Sequence, residues 1–143
     1  MTQVIASQIP ATSTRTGRGR AATAGLWTLQ VLGAALFAFS AVPKLMLAEA
    51  TTESAAVLGV GSWFFVVIGL LELAGAIALL VPILSGLAAS CFIALMVGAL
   101  ATQVIFFDGF AWYMPLVGLA LVAPVAWARR DQTGRLFRIL RRR

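Results

Sequence analysis

The sequence has 143 residues, of which 61% are hydrophobic and 11% are charged, and its mean hydropathy is +0.96. Soluble domains are about half apolar and about a quarter charged, so this chain has too little polar surface to cover a water-soluble fold. The composition therefore predicts a membrane protein whose outer surface is solvated by lipid. Its single cysteine, Cys91, excludes dithiol chemistry within the chain, and the lack of histidine removes the commonest metal ligand, so we expect no metal site.

The net charge of +6 is concentrated at the two ends of the chain. Three arginines precede the first apolar run, seven follow the last, and Lys44 is the single basic residue between them. A soluble protein with this charge is a candidate for nucleic-acid binding, but basic residues that flank apolar spans instead mark cytoplasmic segments. We therefore expect no nucleic-acid partner. We expect a plasma (inner) membrane protein with both termini in the cytoplasm.

Four apolar runs divide the chain. They cover Ala24–Val42, Trp63–Leu80, Gly86–Phe107 and Ala111–Trp127. Each run is near the length that a bilayer requires. The first could also be read as a secretory signal ending at Ser40-Ala41, but about 19 residues is long for such a signal and sufficient to span. We predict a disordered basic tail over residues 1–23, a four-span domain over residues 24–130 and a basic tail over residues 131–143.

The connections between the runs complete the predicted fold. The short link Pro82–Ser85 makes the second and third runs an antiparallel hairpin, and Asp108-Gly109 is a turn before the fourth run. The segment from Lys44 to Gly61 is expected to be an external loop. The prediction is thus an all-α, integral membrane, antiparallel four-helix bundle, since an even number of spans is needed to place both tails on one side.

Two groups of residues are expected to meet the bilayer surface. Aromatic residues near the predicted helix ends favour the headgroup level and are candidate interface anchors: Trp27, Trp63, Trp112, Tyr113 and Trp127. In the C-terminal tail, Arg135–Arg141 has apolar residues on one helical face and arginines elsewhere. It is either a surface helix on anionic lipid headgroups or a solvated basic tail that only enforces topology.

Glu72 is the most informative residue, because it lies about midway along the second apolar run, where an ionisable group is costly and rarely faces lipid. Its helical neighbours include Gly69, Gly75 and Ala76, a small-residue face that another helix can approach closely. Glu72 is therefore expected to point into the bundle. It is a proton relay, a hydrogen-bond anchor for a ligand or a counter-ion, or else it only joins helices.

Lys44 is the natural partner of Glu72, since it follows Pro43 at the outer end of the first span. It either pairs inward or extends outward to the headgroups. Gln103 and Asp108 add polar groups at the same end, and the four residues together outline a candidate ligand or ion-pair site, although Asp108 is equally suited to a turn. Nearby, Ala94, Gly98 and Thr102 form a small-residue stripe typical of close helix packing.

Three segments resemble the DoxX family of small four-helix membrane proteins. They are Phe39–Leu45, Gly69–Ala76 and Ala99–Gln103, within a similar region that extends from Leu26 to Arg130. The lysine and the glutamate are the most recognisable features, whereas Gln103 stands where many relatives have histidine, which puts a proton-transfer role there in doubt. The resemblance implies a membrane subunit of a quinone-linked or thiol-related redox system, as in thiosulfate:quinone oxidoreductases.

Three hypotheses about function follow. The chain is an accessory redox subunit that binds a quinone near Glu72, with no intrinsic cofactor and with electrons supplied by a soluble redox partner. Alternatively, it binds a lipid or small solute without redox chemistry, or it is a structural subunit of a larger complex or a homo-oligomer. In each case a non-catalytic or accessory role is favoured over that of a stand-alone enzyme.

Overall fold

The computed structural model describes the backbone of residues 14–130 and the side chains of residues 20–130. This part of the chain forms five α-helices and no strand, which confirms the all-α prediction. The helices are α1 (Thr14–Leu45), α2 (Glu49–Leu58), α3 (Trp63–Leu80), α4 (Ser85–Phe106) and α5 (Tyr113–Ala128).

The apolar runs became helices close to their predicted bounds. Helix α3 begins and ends where the second run does, and α4 is displaced from the third run by one residue at each end. Among the described residues, three helical segments are long and apolar enough to cross a membrane, namely Arg20–Leu45, Trp63–Leu80 and Ser85–Phe106. Helix α5 is also apolar but is shorter than these three segments. It has 16 residues, or about 24 Å of helix.

Helix α1 is longer than the first apolar run. It begins at Thr14, inside the segment predicted to be a disordered tail, and continues through Pro43 to Leu45. Extending an existing helix adds one hydrogen bond for each residue that is ordered, and alanines such as Ala21 and Ala22 favour that extension. The remainder of the predicted N-terminal tail, the whole C-terminal tail and its predicted surface helix lie outside the described residues.

Helix α2 occupies the segment that was predicted to be an external loop. It is fastened to the end of α1 by a hydrogen bond that the Thr51 hydroxyl donates to the Pro43 carbonyl, at 3.2 Å. Gly59 follows the last residue of the helix, and its φ of 68° places it in the left-handed region that commonly terminates helices. A short helix therefore lies next to the end of α1 that carries Lys44.

The four longer helices pack around a common apolar core. Helix α1 contacts α3 and α5, and α4 also contacts α3 and α5. At the centre the rings of Phe37 and Phe92 stack with centroids 3.7 Å apart and planes 8° from parallel. The remaining buried core residues are Ala34, Ala76, Leu79, Ala88, Ala89, Met96, Val122 and Val125.

Contacts between α1 and α3 follow opposite orders along the two helices. A Cβ atom placed on Gly33 would lie 3.1 Å from a Leu79 methyl group, near the end of α3. A Cβ placed on Gly69 would lie 3.2 Å from the Ala41 carbonyl oxygen, near the end of α1. Later positions in α1 therefore meet earlier positions in α3.

Gly69 permits the close approach of α1 to α3, and we expect Gly69→Ala to destabilise the protein. The added Cβ would lie 3.1 Å from side-chain carbons of both Lys44 and Leu45, as well as close to backbone. Backbone cannot move aside as a side chain can, so we expect a loss of about 1–3 kcal/mol in the free energy of unfolding, measured by denaturant titration in detergent.

The matched control is Gly98→Ala in α4. Gly98 is exposed, and no atom of the described chain outside its own helix turn lies within 4 Å of a Cβ built there. The small-residue stripe through Gly98 thus faces away from the other described helices. Since alanine favours helix over glycine, this variant should be neutral or up to about 1 kcal/mol more stable. Equal destabilisation by the two substitutions would contradict the role given to Gly69.

Candidate functional site

A buried ion pair joins the end of α1 to the middle of α3. The Lys44 ammonium lies 2.9 Å from Glu72 Oε2 and 3.2 Å from Glu72 Oε1. Glu72 is 3% exposed, whereas 20% of the Lys44 side chain is exposed. The Lys44 side chain is therefore partly accessible from outside the protein, whereas the Glu72 carboxylate is enclosed by it.

Ser40 is a third member of this site, which we call the Lys44–Glu72–Ser40 site. Lys44 Nζ donates to the Ser40 carbonyl oxygen at 2.9 Å and to Ser40 Oγ at 2.8 Å. The Ser40 hydroxyl in turn lies 3.4 Å from Glu72 Oε1. The lysine side chain folds back along its own helix, because side chains four residues apart lie on the same helical face. That four-residue spacing from Lys44 was the signal in the sequence that could have identified Ser40.

The local sequence explains why Lys44 reaches Glu72. Gly69 stands one turn before Glu72 and lets the backbone of α1 approach α3 at Ala41. Pro43 lacks an N–H group, so the carbonyl of Phe39 has no helical donor at the corresponding position. Beyond this point the Ala48 amide donates to the Pro43 carbonyl at 2.9 Å, which fastens the end of α1 to the segment that leads into α2. The position of Lys44 is thus set by two contacts of the α1 end, one with α3 at Gly69 and one with the Ala48 amide.

Gln103 and Asp108, the other two candidate residues, lie elsewhere in the hydrogen-bond network. Asp108 is exposed in the turn after α4, with a φ of 50°, and Gly109 follows with a φ of 73°. The Gly109 amide donates to the Gln103 carbonyl at 2.9 Å and so closes the helix end. Within residues 20–130, neither the Gln103 nor the Asp108 side chain hydrogen-bonds to Lys44 or Glu72. Asp108 has the geometry of a turn residue, since aspartate tolerates the left-handed region.

The five candidate interface anchors are all exposed on the surface of the helices. Trp63 and Tyr113 are the first residues of α3 and α5, Trp112 precedes α5, and Trp127 is near its end. Trp27 differs, because α1 begins well before it. The Arg130 guanidinium lies 5.3 Å from the centroid of the Trp127 ring, a cation–π contact. Their role as anchors in the headgroup region stays a prediction.

Comparison with known protein families assigns the chain to one of them. The family model described as "DoxX-like family" matches residues 28–125, which include Lys44, Glu72 and Gln103. The chain belongs to the DoxX-like family. This confirms the resemblance seen in the sequence, and together with the three long apolar helices it makes the chain a membrane protein. Neither the curated proteins nor the solved structures contain a match to this chain.

The DoxX-like chain has a second polar cluster, which the sequence analysis did not find. Gln30 in α1 is completely buried, and its amide nitrogen donates to the Leu79 carbonyl at 3.0 Å. Its amide oxygen accepts a hydrogen bond from Arg129 Nη2, also at 3.0 Å. Arg129, just after α5, is 9% exposed and also lies 3.5 Å from the Pro82 carbonyl. The cluster therefore connects α1, the α3–α4 link and the end of α5.

Gln30 caps the Leu79 carbonyl at the end of α3 from outside that helix, and Arg129 holds the Gln30 amide and lies near the same helix end. The last carbonyls of a helix lack helical donors and carry a partial negative charge, so a cation placed there is favourable. Sequence analysis counted Arg129 only as one of the basic residues beyond the last span. Its neighbour Arg130 is exposed, as that interpretation requires. The two arginines are adjacent in sequence but differ in environment.

We expect Arg129→Met to lower the free energy of unfolding by about 2–3 kcal/mol. The substitution removes charge-assisted hydrogen bonds and leaves the buried Gln30 amide oxygen without its donor from Arg129. Arg130→Met is the matched control and should change stability by no more than about 0.5 kcal/mol. Unfolding of both variants in mixed micelles measures the difference, and equal effects would show that Arg129 acts only through its net charge.

Proposed function

We propose that this DoxX-like protein is an accessory membrane subunit that binds the polar headgroup of a lipophilic molecule at the Lys44–Glu72–Ser40 site. A quinone of a quinone- or thiol-linked redox system is the ligand we favour. The observation that carries the proposal is the Lys44–Glu72 ion pair, in which a buried carboxylate is reached through a partly exposed ammonium group. The chain has no flavin, haem or iron–sulfur motif, so a separate, soluble partner would supply electrons.

The first support for the proposal is energetic. An ionisable residue in a membrane span is costly, and replacing a buried ion pair by well-packed apolar side chains is often neutral or stabilising. An apolar contact would therefore stabilise the packing of α1 against α3 at least as well as this ion pair does. Helix packing alone does not explain the pair. Charged groups inside membrane segments usually mark ligand, ion or proton sites.

The second support is the position of the site. Glu72 lies midway along α3, and Lys44 lies at the end of α1. A headgroup entering from the Lys44 side would meet the polar atoms while its apolar tail remained among the exposed apolar side chains of these helices. Phe39, Val42 and Met46 are exposed around this end of α1.

A lipid or small-solute role without redox chemistry is the second candidate. It is favoured by the exposed part of Lys44, because an ammonium group binds phosphate well. A structural role in a larger complex or a homo-oligomer is the remaining alternative. The molecule that copurifies with the protein distinguishes these functions: a quinone supports the first, a phospholipid the second and a stoichiometric protein partner the third.

We propose that α1, α3, α4 and α5 form an antiparallel four-helix bundle in the plasma (inner) membrane. Both termini lie in the cytoplasm. The opposite order of contacts between α1 and α3 supports it, as does the gathering of arginines in the two tails. Contact of both tails with anionic lipid headgroups is part of the same proposal.

The arrangement predicts which positions can be labelled from outside the cell. In a Cys91→Ser background, Glu53→Cys and Gly109→Cys should react with a membrane-impermeant maleimide in intact cells. Arg15→Cys and Arg142→Cys should react only after the membrane is permeabilised. Labelling of either tail in intact cells would rule out an even number of spans with both ends inside.

The binding proposal predicts that Glu72→Gln lowers the amount of copurifying ligand by about tenfold while the protein still folds. The amide keeps the shape of the side chain and removes the charge that holds Lys44, so the site should lose its polar geometry without losing packing. Lys44→Met should have a similar effect. Ligand is quantified by extraction and mass spectrometry, and folding by circular dichroism and size-exclusion chromatography.

Glu53→Gln in α2 is the matched control, since Glu53 is exposed and undergoes the same chemical change. It should retain the wild-type amount of ligand. The Lys44→Met, Glu72→Gln double variant should lose less than the sum of the two single losses, because the residues act as one unit. An unchanged amount of ligand in Glu72→Gln would mean that the charge of the glutamate has no part in binding, and the proposed function would be wrong.

A further inference from the structure

All hydrogen-bond donors of Lys44 are engaged within the protein. An ammonium group has three N–H donors, and four acceptor atoms lie within hydrogen-bond distance of Lys44 Nζ. They are the Ser40 carbonyl oxygen, Ser40 Oγ and both carboxylate oxygens of Glu72. The structure therefore shows the site in a closed form. A ligand headgroup can accept a hydrogen bond from Lys44 once some of these contacts are released.

The two contacts of Lys44 with Ser40 depend on the last turn of α1. The residues are four positions apart, and this spacing brings their side chains together only while the backbone between them is helical. The contacts with Glu72 instead cross to α3, and the lysine side chain is long and flexible. Unwinding of the last turn would therefore release Lys44 from Ser40 while the ammonium group stays beside Glu72. The buried carboxylate would remain neutralised.

The last turn of α1 is held in place by α2. Pro43, which precedes Lys44, has no N–H group to donate to the preceding turn. Its carbonyl accepts hydrogen bonds from the Ala48 amide at 2.9 Å and from the Thr51 hydroxyl at 3.2 Å. Among the described residues, the Thr51 contact is the only side-chain hydrogen bond from α2 to another helix. The docking of α2 and the conformation of the turn that carries Lys44 are thus coupled.

Helix α2 is attached to the other helices by few contacts. It has 10 residues, fewer than the roughly 12–15 that an isolated helix needs in water, and only Thr51 and Ala55 are buried. Leu47, in the link from α1, has a φ of 49°, a left-handed conformation that is unfavourable for a bulky side chain. On the other side of α2, Gly59 has a φ of 68°, which glycine adopts and leaves without strain. Undocking of α2 would therefore relieve strain at Leu47 and break few contacts.

We infer that α2 regulates the Lys44–Glu72–Ser40 site. Docked, α2 holds Lys44 on Ser40 and Glu72. Undocked, it frees the Lys44 donors that face Ser40, and these can bind an acceptor oxygen of a headgroup, such as a quinone carbonyl. The inference rests on the proposed function for the identity of the ligand and adds how its binding is controlled. Because a site that is open only part of the time binds with correspondingly lower affinity, the docking of α2 sets the apparent Kd.

The reactivity of Lys44 tests this inference, because Lys44 is the only lysine in the sequence. The purified full-length protein in nanodiscs is treated with acetic anhydride, and mass spectrometry gives the rate of acetylation at Lys44. Thr51→Val keeps the shape of the side chain but removes the hydrogen bond to Pro43, so acetylation should be about fivefold faster. Leu47→Gly removes the strain of the docked form and should slow acetylation about fivefold.

Thr52→Val is the matched control. The Thr52 hydroxyl donates to the Glu49 carbonyl within α2, at 2.8 Å, so its loss should leave the acetylation rate at the wild-type value. The Kd of decylubiquinone, measured by isothermal titration in the same nanodiscs, should fall about fivefold in Thr51→Val and rise about fivefold in Leu47→Gly.

The two measurements separate failure of this inference from failure of the proposed function. Unchanged acetylation in both Thr51→Val and Leu47→Gly, or equal acceleration by Thr51→Val and Thr52→Val, would overturn regulation by α2. Binding of decylubiquinone to the wild-type protein would then still support the proposed function. Acetylation rates that shift as expected while no variant binds decylubiquinone would support regulation by α2 and overturn the quinone as the ligand.

Discussion

The need to neutralise Glu72 inside an apolar helix governs the arrangement around it. An unpaired carboxylate there would lose its hydration without gaining a compensating electrostatic interaction. A cation therefore has to lie next to it. Lys44 meets this need at 2.9 Å, but only because Gly69 allows α1 to lie against α3. The close approach at Gly69 and the fold-back of Lys44 onto Ser40 both serve that requirement, and α2 docks at the same helix end through Thr51.

Two polar clusters fasten α1 at separate levels, with the apolar core between them. Along α1 the order is Gln30, then Phe37, then Lys44, and the Phe37–Phe92 stack therefore separates the Gln30–Arg129 contact from the Lys44–Glu72–Ser40 site. Polar contacts at both levels fix the register of α1, since hydrogen bonds require particular partners whereas apolar contacts tolerate sliding. The core also separates the candidate ligand site from the other end of the helices.

Helix boundaries were predicted well where a polar residue or a proline interrupts an apolar run and less well elsewhere. Helix α3 starts and ends as predicted because Ser62 precedes it and Pro82 follows it. Helix α1 continues into a polar segment, and α2 forms within one, and neither carries an apolar signal. Helix formation in such segments depends on continuation from a neighbouring helix or on a docking contact, such as that of Thr51 with Pro43.

The sequence by itself determined the membrane class, the family and the inward position of Glu72, because these depend on composition, on local hydropathy and on single costly residues. Only the tertiary structure decided which side chains meet. Gln30 and Arg129 are 99 residues apart, and nothing in the sequence near either one indicates its partner. The spacing of Ser40 from Lys44 is visible in the sequence, but only the structure places the Ser40 hydroxyl 3.4 Å from Glu72 Oε1, since hydrogen bonds are specified by distance and direction in space.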